Sequence, residues 1–347
     1  MRYGSLFLIA LALAFTPLAR AQDTATVVTD SSVLFASDEV LEFRLATNIR
    51  ALLKDRGTKR PYHAATVDYQ GPDGNAVSIP LKVRTRGIYR LKNCAFPPIR
   101  MNFGKGKTAG TVFAGEDKPK LTTHCQDNEL YEQNLLQEYL LYKAYNLLTP
   151  IGHRVRLARV TYVDGEGDGG KPIARRYGIL IEDPERMAAR HNGGKIIEAK
   201  GAVKDDLDPY HTAMVGVFEY FAANTDYSIP GLHNIELIQN MDAVYPIAYD
   251  FDWSGAIATP YAKPDPKLPI KDVKTRLYRG YCPASEHFTK VFAAFNEKKD
   301  AIYALYTDLK PLDRDHVKRA HRYFDEFYRV INDPKKVRSD IMEYCRG

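Results

Sequence analysis

One stretch, residues 211–255, constrains the fold of this chain more than any other. Its first third has apolar residues at the i, i+3 and i+4 spacing of a buried helix. Pro230 and Gly231 prevent that helix from continuing. The stretch predicts a buried helix over residues 214–221 and an acidic loop over 224–226. Two strands joined by a turn follow over 235–238 and 244–249, and a second acidic loop lies at 250–253.

The two acidic loops predict a site for a hard cation. A hairpin that projects Asp226, Asn234, Asp250 and Asp252 together offers oxygen ligands only. Mg²⁺ prefers such ligands and usually takes one or two carboxylates besides substrate phosphates. The alternative is an ordinary surface hairpin, because Asp and Asn are common turn residues.

The order of these motifs is similar to that of protein kinases, which use a catalytic Asp, a metal-binding Asn and then an Asp-Phe-Gly turn. Here the gap from Asp226 to Asn234 is wider, and the turn at residue 250 is Asp-Phe-Asp-Trp. This form resembles the CotH-type spore-coat kinase family, over roughly residues 84–255. The resemblance implies an α+β, two-lobed protein-kinase-like fold, with a β-rich N-terminal lobe and a mainly helical C-terminal lobe.

The same resemblance implies roles for the residues of the acidic loops. Asp226 would orient or deprotonate an acceptor hydroxyl. Asn234 and Asp250 would hold Mg²⁺ or Mn²⁺ with ATP. Asp252 would either support these ligands from behind or bind a second metal ion. Phosphoryl transfer needs mainly positioning and charge neutralisation, which such side chains supply.

Two cationic positions follow from the resemblance. Arg86, in Arg84-Thr85-Arg86-Gly87, matches the Arg-Gly turn that opens the core of the family. Arg100 stands where the family has a phosphate-binding Lys, and Arg is not an equivalent substitute for Lys. Nearby replacements are Lys82, Lys92 and Lys120, and the departure puts catalytic competence in question.

Three glutamates complete the predicted nucleotide site. Asp127 and Glu129 begin a helix that we expect to run to about Leu148 and to pack on two sides. In a kinase-like lobe, a helical Glu orients the phosphate-contacting cation, and Glu132 and Glu138 share that candidacy, although a solvated helix Glu is the common alternative. A strand that ends at Glu182 is followed by a short helix. In a kinase-like protein this arrangement is typical of the hinge whose backbone binds adenine, but an ordinary connection between a strand and a helix has the same pattern.

The N-terminal segment predicts export, and the remaining chain is expected to form the two lobes. Arg2, an apolar run and Ala19-Arg20-Ala21 match a secretory signal peptide over residues 1–21, cleaved after Ala21. We therefore expect a periplasmic or secreted protein. The two lobes are expected over residues 22–183 and 184–347. The last part of the second lobe is expected to form helices over 285–296, 298–309 and 313–331.

Four cysteines remain after the signal peptide, at positions 94, 125, 282 and 345. None forms a Cys-x-x-Cys pair, so a zinc site is not expected. In an exported protein an even number favours disulfides over free thiols. Of the three connectivities we favour Cys94–Cys125 and Cys282–Cys345, because each pair lies within one expected lobe.

Several classes of function are disfavoured. The formal charge of +6 is mild and is nowhere concentrated in a long basic run, so no nucleic-acid partner is expected. No segment after the signal peptide has the length of a membrane span. The zinc-peptidase, serine-hydrolase and Walker A motifs are all missing from the sequence.

The leading hypothesis is an exported kinase-like protein with ATP and an envelope or secreted protein as its partners. Its alternative is an inactive pseudokinase that acts as an envelope binding or assembly protein. Arg100 in place of Lys and the scarcity of ATP outside the cytoplasm favour that alternative. A metal-dependent hydrolase that uses the same acidic cluster is the third hypothesis.

Overall fold

The fold is described by a computed structural model that covers residues 32–165 and 170–346. Seven strands form a closed barrel in the order β1-β2-β3-β4-β5-β7-β6. Every neighbouring pair is antiparallel except β1 and β6, which run parallel and close the barrel. The strands are β1 (Leu41–Thr47), β2 (His63–Gln70), β3 (Ala76–Thr85), β4 (Ile99–Asn102), β5 (Lys120–Thr122), β6 (Val155–Asp164) and β7 (Pro172–Ile181).

Alternation of apolar and polar residues decides which side of each barrel strand faces the interior. In β1, Leu41, Phe43 and Leu45 are buried, whereas the residues between them are not. Aromatic rings fill the barrel, and Phe113 packs edge-on against Phe43 at a centroid distance of 6.2 Å. The predicted hairpin around residues 71–75 is present as β2 and β3.

The prediction of a two-lobed protein-kinase-like fold is wrong. The sheet closes on itself through seven residue pairs between β1 and β6, from Leu41 with Ala158 to Thr47 with Asp164. The result is a mixed barrel beside helices, not the separate sheet lobe and helical lobe of a typical kinase. Local sequence patterns do not reveal this closure, because it joins strands that are distant in the sequence.

Helix α3 connects the barrel to the rest of the molecule. Its buried side chains face both the barrel strands β6 and β7 and the helices α5 and α6, as its broad apolar surface predicts. The helices are α1 (Ile49–Lys54), α2 (Tyr89–Asn93), α3 (Glu129–Leu148), α4 (Pro184–Ala189), α5 (Pro209–Ala222), α6 (Ser285–Asp308), α7 (Arg314–Ile331) and α8 (Pro334–Val337). One unbroken helix, α6, replaces the two helices expected over residues 285–309.

A second, three-stranded sheet carries the acidic loops. Its order is β10-β9-β8, formed by β8 (Lys195–Ile197), β9 (Ile235–Gln239) and β10 (Val244–Ala248). The hairpin of β9 and β10 confirms the strands predicted there. Short helical turns lie at Lys204–Asp206, Phe251–Trp253 and Arg338–Met342.

Two disulfides, Cys94–Cys125 and Cys282–Cys345, confirm the predicted pairing. Disulfides are consistent with an extracellular or periplasmic protein, because such compartments are oxidising. Over residues 32–165 and 170–346, no helix combines the length and apolar character needed to cross a membrane. The predicted signal peptide, residues 1–21, lies outside the described residues, and the boundary at residues 183 and 184 stays a prediction.

Candidate functional site

The first acidic loop begins where α5 ends. Ala223 caps the helix in the left-handed conformation, with φ of +50°. The backbone N–H of Asp226 then donates to the side chain of Asn224 at 3.0 Å, which makes a tight turn. The Asp226 carboxylate is about a third exposed, at 36 %. The loop therefore presents this carboxylate to solvent from a fixed backbone.

Two neighbours orient the Asp226 side chain. One carboxylate oxygen lies 2.9 Å from Nε2 of His233, and the other accepts a hydrogen bond from Nδ2 of Asn234 at 3.1 Å. Nδ2 of Asn234 also donates to the backbone carbonyl of Asp226 at 2.7 Å. The pKa of His233 is raised, mainly by its hydrogen bond to Asp226 and further by the negative charge of that residue. Burial of the ring opposes this shift.

The hairpin brings the second acidic loop to the same place. Ile235 of β9 pairs with Ala248 of β10, and the N–H of Tyr249 donates to the carbonyl of Asn234 at 3.2 Å. Asp250 follows directly, and its own N–H donates to the hydroxyl of Tyr142 on α3 at 2.8 Å. Three of the predicted residues, Asp226, Asn234 and Asp250, thus meet at one end of the hairpin.

Unusual backbone conformations concentrate in this region. Among the described residues, seven non-glycine residues have a positive φ, and five of them lie between residues 223 and 258. Each such residue costs about 1–3 kcal/mol, and such strain is typical of functional sites. The five are Ala223, Leu232, Asn234, Asp250 and Ala258.

An acidic cluster is formed by Glu138, Asp250 and Asp252, whose carboxylate oxygens lie within 4.8 Å of one another. Arg90 lies among them. Its guanidinium donates two hydrogen bonds to Glu138 at 2.9 and 3.1 Å and one to Asp250, and it lies 3.3 Å from Asp252. Tyr261 donates at 2.7 Å to Oδ2 of Asp252, the same oxygen that Arg90 contacts. Oxygen ligands within this distance fit a divalent cation.

The guanidinium of Arg90 lies among three carboxylates, of which Glu138 and Asp252 are buried. Burial, followed by the charges of its acidic neighbours, raises the pKa of Asp252 well above its usual value, although Arg90 opposes this. Burial likewise raises the pKa of Glu138 against the effect of Arg90. For Asp250, which is a third exposed, Arg90 and then Arg86 overcome the effect of burial and lower the pKa. The acidic cluster therefore favours the uptake of a proton or of an additional cation.

The outer face of the barrel opposite the hairpin is cationic. Arg84, Arg100 and Lys120 stand side by side on β3, β4 and β5, while the residues that alternate with them point into the barrel. Arg86 follows β3, and its charge, like that of Arg100, adds to the effect of burial in lowering the pKa of Lys120. We call Arg86, Arg100 and Lys120 the cationic face. Like charges at this spacing repel one another, so the face favours an anionic partner.

Lys120 of the cationic face contacts the hairpin directly. Its ammonium lies 3.2 Å from Oε1 of Glu236 and 5.1 Å above the ring of Tyr249. Burial lowers the pKa of Lys120, against the raising effect of Glu236. Nε2 of His153 is 2.8 Å from the other oxygen of Glu236. Burial alone would raise the pKa of Glu236. The charge of Lys120 and, to a smaller extent, that of His153 instead lower it far below its usual value.

The other two cations differ in their partners. Arg100 contacts Asp183 at 3.1 Å, next to the predicted hinge. Among the described residues, none accepts a hydrogen bond from the guanidinium of Arg86, which is only partly exposed. Burial lowers the pKa of Arg86, and Asp250 opposes that effect. Arg86 thus has a guanidinium without a hydrogen-bonded partner in the described part of the chain, and its charge interacts with Asp250 of the acidic cluster.

Two other predicted residues lie apart from the acidic cluster. Glu132 accepts hydrogen bonds from Arg159 at 2.9 Å and from the N–H of Tyr177 at 2.7 Å, and so attaches α3 to the barrel. Glu182 is fully buried and pairs with Arg190 at 3.0 Å. Of the two helical glutamates predicted to orient a cation, Glu138 is the one that belongs to the acidic cluster.

The Cys94–Cys125 disulfide holds the frame of this site. Cys94 directly follows α2, which carries Arg90, and Cys125 directly precedes the turn into α3, which carries Glu138. The disulfide therefore restrains the two segments whose side chains form the central ion pair.

Sequence reasoning missed several members of the site. Arg90 lies in a short helical turn without any motif, so no local signal identifies it. Glu236 interrupts the apolar run of β9, and a charged residue in such a run could have indicated a functional position. Lys120 was named only as one of three replacements for Arg100. His233 is adjacent to Asn234 and was not considered.

Comparison with known proteins adds no assignment: no family model matches the chain, and no curated protein matches it. The resemblance to the CotH-type family therefore rests on the motifs quoted above. The geometry of the site carries the functional argument.

Proposed function

We propose that this chain is an exported phosphotransferase that moves the terminal phosphoryl group of ATP to a hydroxyl of an envelope or secreted protein. One observation carries the proposal. Asp226, Asn234 and Asp250 meet at the end of the hairpin, opposite Lys120 and the unpaired guanidinium of Arg86. Such a site combines an acceptor-orienting carboxylate, oxygen ligands and phosphate-binding cations.

The residues present fit a divalent cation. Asp250 offers a partly exposed carboxylate, and Asn234 uses Nδ2 for Asp226, which leaves its Oδ1 as a ligand. Asp250 and Asn234 would hold Mg²⁺ or Mn²⁺, and Asp252 is proposed as a further ligand. When bound, the cation would neutralise charge on the phosphate oxygens. The excess negative charge of the acidic cluster supports this assignment.

The chain's own residues have distinct roles in the proposed reaction. Lys120 and Arg86 pair with phosphate oxygens of ATP, and Arg100 adds a third positive charge on the same face. Asp226, which His233 and Asn234 orient, accepts the proton of the acceptor hydroxyl. The acceptor oxygen bonds to the terminal phosphorus as the bond from that phosphorus to the bridging oxygen breaks, and ADP leaves.

A second candidate is a protein that binds nucleotide without transferring phosphate. It is favoured by Arg90, which contacts all three carboxylates of the acidic cluster and so occupies a position that suits a cation. In this case the same residues would serve envelope binding or assembly.

Export is part of the proposal. A signal peptide over residues 1–21, cleaved after Ala21, would deliver the chain to the periplasm or beyond. The two disulfides support an oxidising destination.

The test is transfer of radiolabelled phosphate from ATP to envelope proteins, with Mg²⁺ or Mn²⁺. We compare the wild-type protein with Asp226→Asn, and with Asp242→Asn as the control, since Asp242 is exposed in the β9–β10 turn. General-base contributions are roughly 10²- to 10⁴-fold, so Asp226→Asn should lose transfer and keep ATP binding. Asp242→Asn should keep both.

The other outcomes decide between the candidates. Wild-type protein that binds ATP and labels no acceptor supports nucleotide binding alone. Wild-type protein that binds no nucleotide with either cation rejects both candidates.

A further inference from the structure

A basic groove lies beside α7, near the segment that follows the second acidic loop. It encloses about 400 Å³ between α3, residues 255–258 and α7. Its lining includes Asn134, Lys274, His316, Arg319, Arg322 and Tyr323, and we use the name basic groove for this set. The charged residues of this set lie outside the phosphoryl-transfer site described above.

The positive charges of the basic groove are unpaired. Lys274, Arg319 and Arg322 are all exposed. Within the described part of the chain, no carboxylate lies within 4.0 Å of their charged nitrogens. The acidic residue on the wall, Glu326, is engaged by Arg276 at 3.4 Å. Three cations around one concave surface favour an anionic partner.

A buried polar group in the lining points to a ligand independently of these charges. Asn134 is only 5 % exposed, yet its Nδ2 has no hydrogen-bond partner among the described residues. Nδ1 of His316, in the same lining, makes no hydrogen bond to them either and lies 3.9 Å from the carboxylate of Asp313. A buried donor without an acceptor is unfavourable, so an acceptor from a ligand would improve the site of Asn134. Asn134 also borders the small cavity beside Glu138, and thus stands between that cavity and the groove.

The arrangement of the charges suits an extended chain better than a compact anion. His316, Arg319 and Tyr323 follow one another at spacings of three and four on one side of α7. At about 1.5 Å per residue, they span roughly 10 Å along the helix. An extended peptide covers that length with about three residues. Lys274 also lines the groove, and its backbone carbonyl accepts a hydrogen bond from the hydroxyl of Tyr323 at 2.7 Å.

We propose that the basic groove binds an extended acidic segment of a partner protein. Carboxylates of the segment pair with Lys274, Arg319 and Arg322, and a main-chain carbonyl or carboxylate accepts a hydrogen bond from Asn134. The proposal does not depend on phosphoryl transfer, because the charged residues that carry it lie outside that site.

The test is fluorescence polarisation with a labelled hexapeptide rich in Asp and Glu, compared with the same peptide carrying Asn and Gln. We expect the acidic peptide to bind full-length protein in low salt and the neutral peptide to bind at least tenfold more weakly. Arg319→Gln/Arg322→Gln should lower the affinity about tenfold, as two partly solvated ion pairs predict. Asn134→Leu, which removes the unpartnered donor, should lower it severalfold.

The matched control is Arg314→Gln/Lys318→Gln, which makes the same change of charge on α7 outside the groove. It should bind the acidic peptide within about twofold of wild type. Equal losses in the two double variants would overturn the proposal, since they would indicate a general charge effect. Equal binding of the neutral peptide, or binding of anionic lipid vesicles without binding of the peptide, would also overturn it.

Discussion

The guanidinium of Arg90 donates two hydrogen bonds to the carboxylate of Glu138, at 2.9 and 3.1 Å, and both residues are more than nine-tenths buried. This bidentate pair joins α2, beside the barrel, to α3. It also sets the charge of the acidic cluster, because Asp250 and Asp252 share the same guanidinium. The first prediction follows from that sharing.

Removal of the Arg90 guanidinium should make stability depend on divalent cations. We expect Arg90→Gln to lower the free energy of unfolding by about 3–5 kcal/mol, since buried carboxylates lose their partner. Millimolar Mn²⁺ should restore part of this loss, because the three carboxylates lie within 4.8 Å. Urea unfolding with and without Mn²⁺ measures both effects.

The control for this experiment is Arg84→Gln, which removes an exposed guanidinium that lies 4.7 Å from the ring of Tyr62. It should change the unfolding free energy little and show no new response to Mn²⁺. An Arg90→Gln protein whose stability ignores Mn²⁺ would contradict a cation site at the cluster.

The two acidic residues of the second loop should differ in their effect on nucleotide binding. Asp250 is a third exposed and ionised, whereas Asp252 is buried between Arg90 and Tyr261 and has a raised pKa. We therefore expect Asp250→Ala to abolish Mg²⁺-dependent ATP binding and Asp252→Ala to weaken it less. Calorimetry with each variant checks the order. Equal or reversed losses would mean that Asp252 is the principal ligand.

Lys120 should be required for nucleotide affinity. Charge-assisted hydrogen bonds contribute about 1.5–3 kcal/mol, so Lys120→Met should weaken ATP binding by roughly 10- to 100-fold. The single variant also leaves Glu236 without its ammonium partner and should be less stable. Lys120→Met/Glu236→Gln should recover stability and still bind ATP weakly. Lys118→Met is the control, since Lys118 is exposed beside Asp117; recovery of ATP binding in the double variant would reject the role of Lys120.

His124 should account for part of the loss of stability in acid. It is fully buried between Phe96 and Tyr162, and neither ring nitrogen has a hydrogen-bond partner in the described part of the chain. Burial lowers its pKa to about 4. The unfolded chain takes up the proton near pH 6.5, so stability is complete above about that pH and falls towards pH 4, by about 3 kcal/mol.

His124→Phe should remove this effect, because Phe keeps the ring packing and does not titrate. We expect the variant to lose less unfolding free energy than wild type between about pH 7 and pH 4.5. Denaturant titrations at the two pH values provide the comparison. The same acid loss in both proteins would show that other groups dominate.

Much of the hairpin and of the helices was predictable because their patterns are local. The strands β9 and β10 and the helix α3 follow from periodicity over short segments. The cysteine pairing followed from grouping the residues by expected lobe, and it is correct although the lobes themselves are not as expected.

The remainder depends on contacts between distant residues. Closure of the barrel requires Leu41 to pair with Ala158, and no local pattern specifies a parallel neighbour so far along the chain. Lys120, not Arg100, contacts the hairpin because the register of β5 places it opposite Glu236. Arg90 reaches the acidic cluster only after α2 packs beside α3.

The parallel pair of β1 and β6 also has a consequence for the nascent chain. Strand β1 is made early, and β2 soon protects one of its edges, but its other edge has no partner until residues 155–164 exist. An uncovered edge recruits strands from other molecules. Substitutions in residues 71–154 that delay the arrival of β6 should therefore reduce yield through aggregation, even where the completed barrel is as stable as before.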